Sequence, residues 1–270
     1  MHRFGQFIGI DYSGAKGPNH SLTGLRVFSA RGSGAPQQIF SDTANAGALW
    51  SRAQLAEWLS ETLIKAQEPC LVGIDHAFSF PEIYFSHYRL ENNWDSFLDD
   101  FCLHWPSDEK GSTVRELLLY NRTHAEGRIG QSRWRRLTEQ HSKGAKSVFH
   151  FSVPGSVASS THAGIPWLRW LRRHPALQNR LHFWPFDGWI PELHTHVISE
   201  VYPSIWNKQF ENKQKSQDEH DAWTVCRALQ LEFSGTQESH WFTPHHWKNH
   251  RLNESQLSIA RFEGWILGLE

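Results

Sequence analysis

The sequence has almost no net charge: 27 Lys and Arg face 28 Asp and Glu, leaving −1 at neutral pH. A global basic field is therefore excluded, and contact with a polyanion has to come from a local patch. Cysteine is scarce. Cys70, Cys102 and Cys226 are odd in number and far apart, which excludes a disulfide framework and any paired zinc-ligand spacing. No apolar run approaches the roughly 18 residues of a membrane helix. The opening MHRFGQFIGID is too short in its apolar stretch for a signal peptide and is broken by an Asp. A cytoplasmic location is the expectation. There is no internal repeat and no low-complexity tract.

What is present is apolar and aromatic. Hydrophobic residues make up 39% of the chain, with 14 Trp and 17 Phe, which implies a heavily packed core. A length of 270 residues suits a single domain over 1–270. FGQFIGID (4–11) reads as a buried strand, LTGLRVFSA (22–30) as an alternating second strand, and 37–41 as a third, separated by turn chemistry. Ser51 is a suitable N-cap for a helix whose Leu55, Trp58, Leu59 and Leu63 share one face. Pro69 closes that helix, and CLVGID (70–75) is an apolar central strand. The polar segment 82–146 reads as a helical and loop insertion, its end (127–146) as a Gly-, Arg- and Ser-rich arm. Further on, a helix starts near Gly155-Ser156. HVISEV (196–201) is a strand, DEHDAWTVCRALQLE (218–232) an amphipathic helix with Asp218 as N-cap, and 257–269 a last helix.

The most informative feature is a repeated phrase, Ile8-Gly9-Ile10-Asp11 and Val72-Gly73-Ile74-Asp75. Each places a carboxylate at the C-terminal end of an apolar strand, the edge where open α/β sheets bind ligands. Capping of the following turn is a sufficient account of one such Asp, but less so of two in matching contexts. On neighbouring parallel strands, roughly 5 Å apart, the two charges would repel by several kcal/mol at intermediate dielectric. Either one acid takes up a proton or a cation sits between them, and Mg²⁺ or Mn²⁺ is the hard ion such oxygens prefer.

Other acids extend this set. Glu200 ends the strand HVISE, and Asp221 lies one helical turn inside the helix begun by Asp218, with its carboxylate directed partly toward the core. Asp11, Asp75, Glu200 and Asp221 are thus candidate catalytic and metal-holding residues, with Asp218 a further metal candidate. Arg122, Arg128, Arg133, Arg135, Arg136, Lys143 and Lys146 form a basic stretch around Trp134, suited either to phosphate contact with base stacking or to a solvated loop. Arg169, Arg172 and Arg173 add a basic helix end. Ser13, Lys16, Ser156 and Ser159 are candidates for phosphate contact near the acids. Two histidine patterns carry less. His220-Asp221 imitates the dyad of all-helical phosphohydrolases, and His194 with His196 lacks a third zinc ligand at a fixed spacing.

The order of these features resembles the RNase H-like superfamily, and more closely a family of predicted RNase H-like nucleases. The resemblance rests on IGIDYSGA (8–15), VGIDHAFSFP (72–81), Gly155-Ser156-Val157, SEVYPSIW (199–206), DEHDAW (218–223) and EGWILG (263–268). It implies an α/β fold with a mixed sheet, a three-strand meander followed by parallel strands, flanked by helices. It also implies that Asp11, Asp75, Glu200 and Asp221 hold one or two Mg²⁺ ions for hydrolysis of a nucleic acid, DNA or RNA. The pattern departs from the resolvases, which have Glu in place of Asp75, and from RNase H, whose second acid lies on its first helix. Two rivals use the same fold. IGIDYSGAKG also resembles the phosphate loop of actin-like and sugar-kinase ATPases, although the second GID phrase lacks a Gly-rich turn. The other rival is a non-catalytic interaction module.

Overall fold

A computed structural model describes residues 3–42, 44–45, 47–153, 156–212, 214–235, 239–247, 249 and 251–270. Six strands form one mixed sheet. The first three, β1 (Gln6–Asp11), β2 (Arg26–Arg31) and β3 (Gln37–Ile39), make an antiparallel meander. β4 (Cys70–Asp75) adds parallel to β1, β6 (His196–Glu200) parallel to β4, and β5 (Leu181–Trp184) parallel to β6 at the edge. The order is β3-β2-β1-β4-β6-β5. The meander and the two parallel strands are those expected from the sequence. Strand β5 was not: it is four residues long, too short for a periodicity to appear.

The helices are α1 (Arg52–Lys65), α2 (Glu82–Tyr88), α3 (Trp94–His104), α4 (Val114–Thr123), α5 (Leu137–His141), α6 (Ala158–Arg172), α7 (Gln217–Phe233) and α8 (Glu254–Glu263). Ser51 caps α1 as expected, its side chain accepting from the Gln54 amide in a capping box. Asp218 does not cap α7. Ser216 does, reciprocally with Glu219, so Asp218 sits on the first turn with its carboxylate released from capping. Gly155, expected at the start of α6, lies outside the described residues. The last helix ends at Glu263, ahead of the expected residue 269, because Gly264 follows at φ 84.

The two faces of the sheet have separate cores. On one, Ile8, Ile10, Val72 and Ile74 pack with α1, α6 and the aromatic residues of 80–105. Segment 82–146 therefore shares the main core through Tyr84, Phe85, Trp94, Phe97 and Phe101. On the other, Phe7, Leu71 and Val197 meet α7 and the C-terminal aromatics. Here the repeated glycines matter. A Cβ on Gly9 would stand 2.3 Å from the Ala222 carbonyl oxygen and 2.4 Å from the Cys226 amide nitrogen. One on Gly73 would stand 2.8 Å from Val225. The two glycines are paired in register, so α7 lies across the centre of the sheet with its backbone against β1. Gly9→Ala is expected to cost about 1–3 kcal/mol through overpacking, read as a lower denaturation midpoint with an unchanged slope.

The three cysteines are free. Among the described residues, no helix is long and apolar enough to cross a membrane.

Candidate active site

β1 and β4 run parallel with Asp11 directly opposite Asp75, each closing its strand. Glu200 ends β6 opposite Ile74, one step back from that edge. The helix α7, seated on Gly9, brings Asp218 and Asp221 over the same edge. All five acids line one cleft of about 860 Å³ with Ser13, Lys16 and Ser156. The local cause is the same in both strands: a buried apolar run whose glycine admits α7 and whose last residue is the first to leave the core.

The acids feel one another. Burial holds the Asp11 carboxyl well above the usual carboxylate range, and Asp75, Asp218 and Asp221 add repulsion that Arg26 only partly offsets. Burial does the same to Asp75, reinforced by Asp221 and Glu200. Asp218, more open, is also raised, by burial first and against the pull of Arg26. Asp221 takes two amide donors on Oδ1, from Asn207 Nδ2 at 2.6 Å and Gln217 Nε2 at 2.8 Å. These bonds fix the carboxylate in place.

Glu200 differs from the expectation. Its Oε1 and Oε2 accept from Arg136 Nη2 at 2.6 Å and Nη1 at 2.7 Å, and Oε2 also accepts from the Phe78 amide. Both oxygens are committed to a guanidinium, so Glu200 is not free to ligate as Asp11 and Asp75 are. Arg136 is displaced from its expected role for the same reason. It is 1% exposed, ahead of α5, and also bonds Glu139 at 2.9 Å and the Glu263 carbonyl. The Glu263 carboxylate, pushed by burial up to about 7, accepts the amides of Glu82 and Leu137 and so ties α8 to the start of both helices.

Of the rest of the expected basic patch, Lys146 lines the cleft and most of the others disperse. Arg133 is exposed away from the cleft, and Arg135 donates to the carbonyls of Glu139 and Ala145. Trp134 is buried against Phe149 and His87 and offers no stacking platform. Arg169 and Arg173 pair with Asp99, Arg172 with Asp95 and Asp187. Ser156 donates to the His150 carbonyl, while Ser159 is exposed on the cleft wall. Among the described residues, the exposed cations that line the cleft are Lys16, Arg115 and Lys146. Arg115, on the first turn of α4, carries no signal in the sequence that sets it apart from the other cations of 82–146.

Two residues beside the acids carried no sequence signal. His76 follows Asp75, and burial lowers it to about 4; neutral, it donates Nδ1–H to the Ala77 carbonyl at 2.8 Å. Arg52 at the start of α1 is 1% exposed and binds the loop after Asp11.

For a metal, the donor chemistry fits: hard carboxylate oxygens, partly buried, with too few cations among them. Among the described residues, no group of three or more His, Cys, Asp or Glu is already arranged to hold an ion. Comparison of the chain with protein-family models, with curated proteins and with solved structures finds no match.

Proposed function

We propose that the chain is a divalent-metal-dependent phosphodiesterase with an RNase H-like fold, acting on nucleic acid. The observation that carries this proposal is the register of two parallel neighbouring strands that sets Asp11 opposite Asp75 at the ligand-binding edge. The antiparallel meander followed by parallel strands, with an acid-bearing helix across β1, supports the RNase H-like assignment.

Asp11, Asp75, Asp218 and Asp221 would hold Mg²⁺ or Mn²⁺, and Glu200, clamped by Arg136, orients the floor of the site without ligating. When bound, such an ion supplies Lewis acidity and lowers the pKa of the attacking water. Water oxygen forms a bond to phosphorus as the bond to the leaving ester oxygen breaks. One water proton passes to an acidic side chain of the cleft, and the leaving oxygen takes up a proton. Lys16, Arg115 and Lys146 face the strand's phosphates from the cleft wall.

The test is a cleavage panel of single-stranded, duplex, hybrid and branched nucleic acids with Mn²⁺ or Mg²⁺. At least one substrate is expected to be cut, with activity lost in EDTA. No cleavage of any substrate, together with tight binding and hydrolysis of Mg·ATP, would replace the proposal with the ATPase alternative.

A further inference from the structure

Beside the acidic cleft lies a second, far smaller cavity of about 20 Å³, room for a single water-sized particle. Tyr12 and His76, in T-shaped contact, line both spaces and form their shared wall. The other walls come from β1, β4, α1 and α6, largely as apolar side chains such as Ile10, Ile74, Leu55 and Leu168. Three residues of this lining each bring a buried N–H or O–H that meets no partner among the described residues. They are Arg52 through Nε, Tyr12 through its hydroxyl and Trp167 through Nε1.

Arg52 decides what such a space can hold. Its Nη1 donates to the carbonyls of Ser13 at 3.1 Å and Ala15 at 2.8 Å, and its Nη2 to that of Lys16 at 3.0 Å. No carboxylate pairs with it among the described residues, and the group that acts on it, the Tyr12 phenol, is neutral at pH 7. A guanidinium buried without a counter-ion is costly, and carbonyl dipoles compensate only part of its charge. Arg52 Nε and Trp167 Nε1 can only donate, and the Tyr12 hydroxyl can donate as well. A water accepts from two of the three and leaves the charge of the guanidinium unbalanced. A monatomic anion accepts from all three and balances it. The cavity is too small for a carboxylate, phosphate or sulfate. Its apolar walls cannot replace the shell of a strongly hydrated ion such as fluoride.

We propose that this cavity binds one weakly hydrated halide ion, chloride under ordinary conditions, held by Arg52, Tyr12 and Trp167. The ion balances the guanidinium that carries the carbonyls of 13–16, and so steadies the turn after Asp11 from the far side of the Tyr12 ring. The site holds whether or not the neighbouring cleft cleaves nucleic acid.

Bromide is a direct probe, because it scatters anomalously where water does not. Crystals of the whole chain grown without halide and soaked in bromide are expected to show an anomalous peak among Arg52 Nε, the Tyr12 hydroxyl and Trp167 Nε1. Density there without an anomalous signal, a water, overturns the site, as does a peak found only elsewhere. In solution, melting of the wild-type chain is followed in acetate, fluoride, chloride and bromide at equal ionic strength. Chloride and bromide should raise Tm above the other two, with saturation; equal melting in all four overturns the site. Trp167→Phe removes one donor and keeps the aromatic bulk. Once shown to be folded, it is expected to bind halide about fivefold more weakly, the measure of one hydrogen bond. A halide effect of unchanged size and midpoint in that variant is a general salt effect and also overturns the site.

Discussion

Asp75→Asn is expected to abolish divalent-cation binding, to reduce cleavage by more than about a hundredfold, and yet to raise the melting temperature of the cation-free protein. The two signs have one cause. In the folded chain Asp75 is buried beside Asp221 and Glu200 and opposite Asp11, so its carboxyl holds a proton far above the usual range. In the unfolded chain it ionises near 3.9. Between those values the folded state binds more protons, and stability falls as pH rises. Above the raised value the penalty is complete. Asparagine removes that penalty and part of the one on Asp11. A bound cation removes it as well, and only the wild type has that remedy. Melting followed from pH 4 to 9 in EDTA should decline with pH in the wild type and be flatter in Asp75→Asn. Mn²⁺ should flatten the wild-type curve alone. If Asp75→Asn instead melts lower in EDTA at every pH, the carboxylate serves as a structural cap.

Arg136→Met should cost about 3–5 kcal/mol, the usual effect of removing one partner from a buried ion pair. Against a total of roughly 5–15 kcal/mol for a folded domain, that is enough to leave much of the chain unfolded at moderate temperature. Arg136 joins Glu200 through two bonds, with Glu139 on its Nε, and all three side chains are buried. Its loss strands two carboxylates. Glu200→Gln should be milder, because Arg136 keeps Glu139. Arg133→Met, on an exposed residue, should stay within about 0.5 kcal/mol. Urea denaturation of the three separates a buried clamp from a surface patch. Equal midpoints for Arg136→Met and Arg133→Met would contradict the clamp.

The strand-borne part of the site was legible because two signals coincide there: an apolar run long enough to read as a strand, and an aspartate at its end. The glycine inside each phrase admits α7, a close approach that only the folded chain reveals. Asp221 was legible from its place one turn into an amphipathic helix. What was not legible was which arginines pair inside the fold. From sequence, Arg136 belongs to a polar arm with Arg133 and Arg135, and nothing in the spacing distinguishes the one that turns inward. Its partners Glu139 and Glu200 lie 3 and 64 residues away. Arg169, Arg172 and Arg173 likewise read as an open basic end, because Asp95 and Asp99 come from α3, some seventy residues earlier. Arg52 was invisible for a related reason: its partners are main-chain carbonyls, which every residue has.

The bonds accepted by Glu263 have a consequence for the order in which the molecule can be completed. As the chain leaves the ribosome, β1 to β4 and the amides of Glu82 and Leu137 emerge well before residue 263. Among the described residues, the Glu82 and Leu137 amides have no side-chain acceptor besides Glu263, so both wait until α8 is made. Arg136, which also bonds the carbonyl of Glu263, is held only in part until then. Asp11 and Asp75 can pair early in synthesis, but the clamp that fixes Glu200 beside them is finished last.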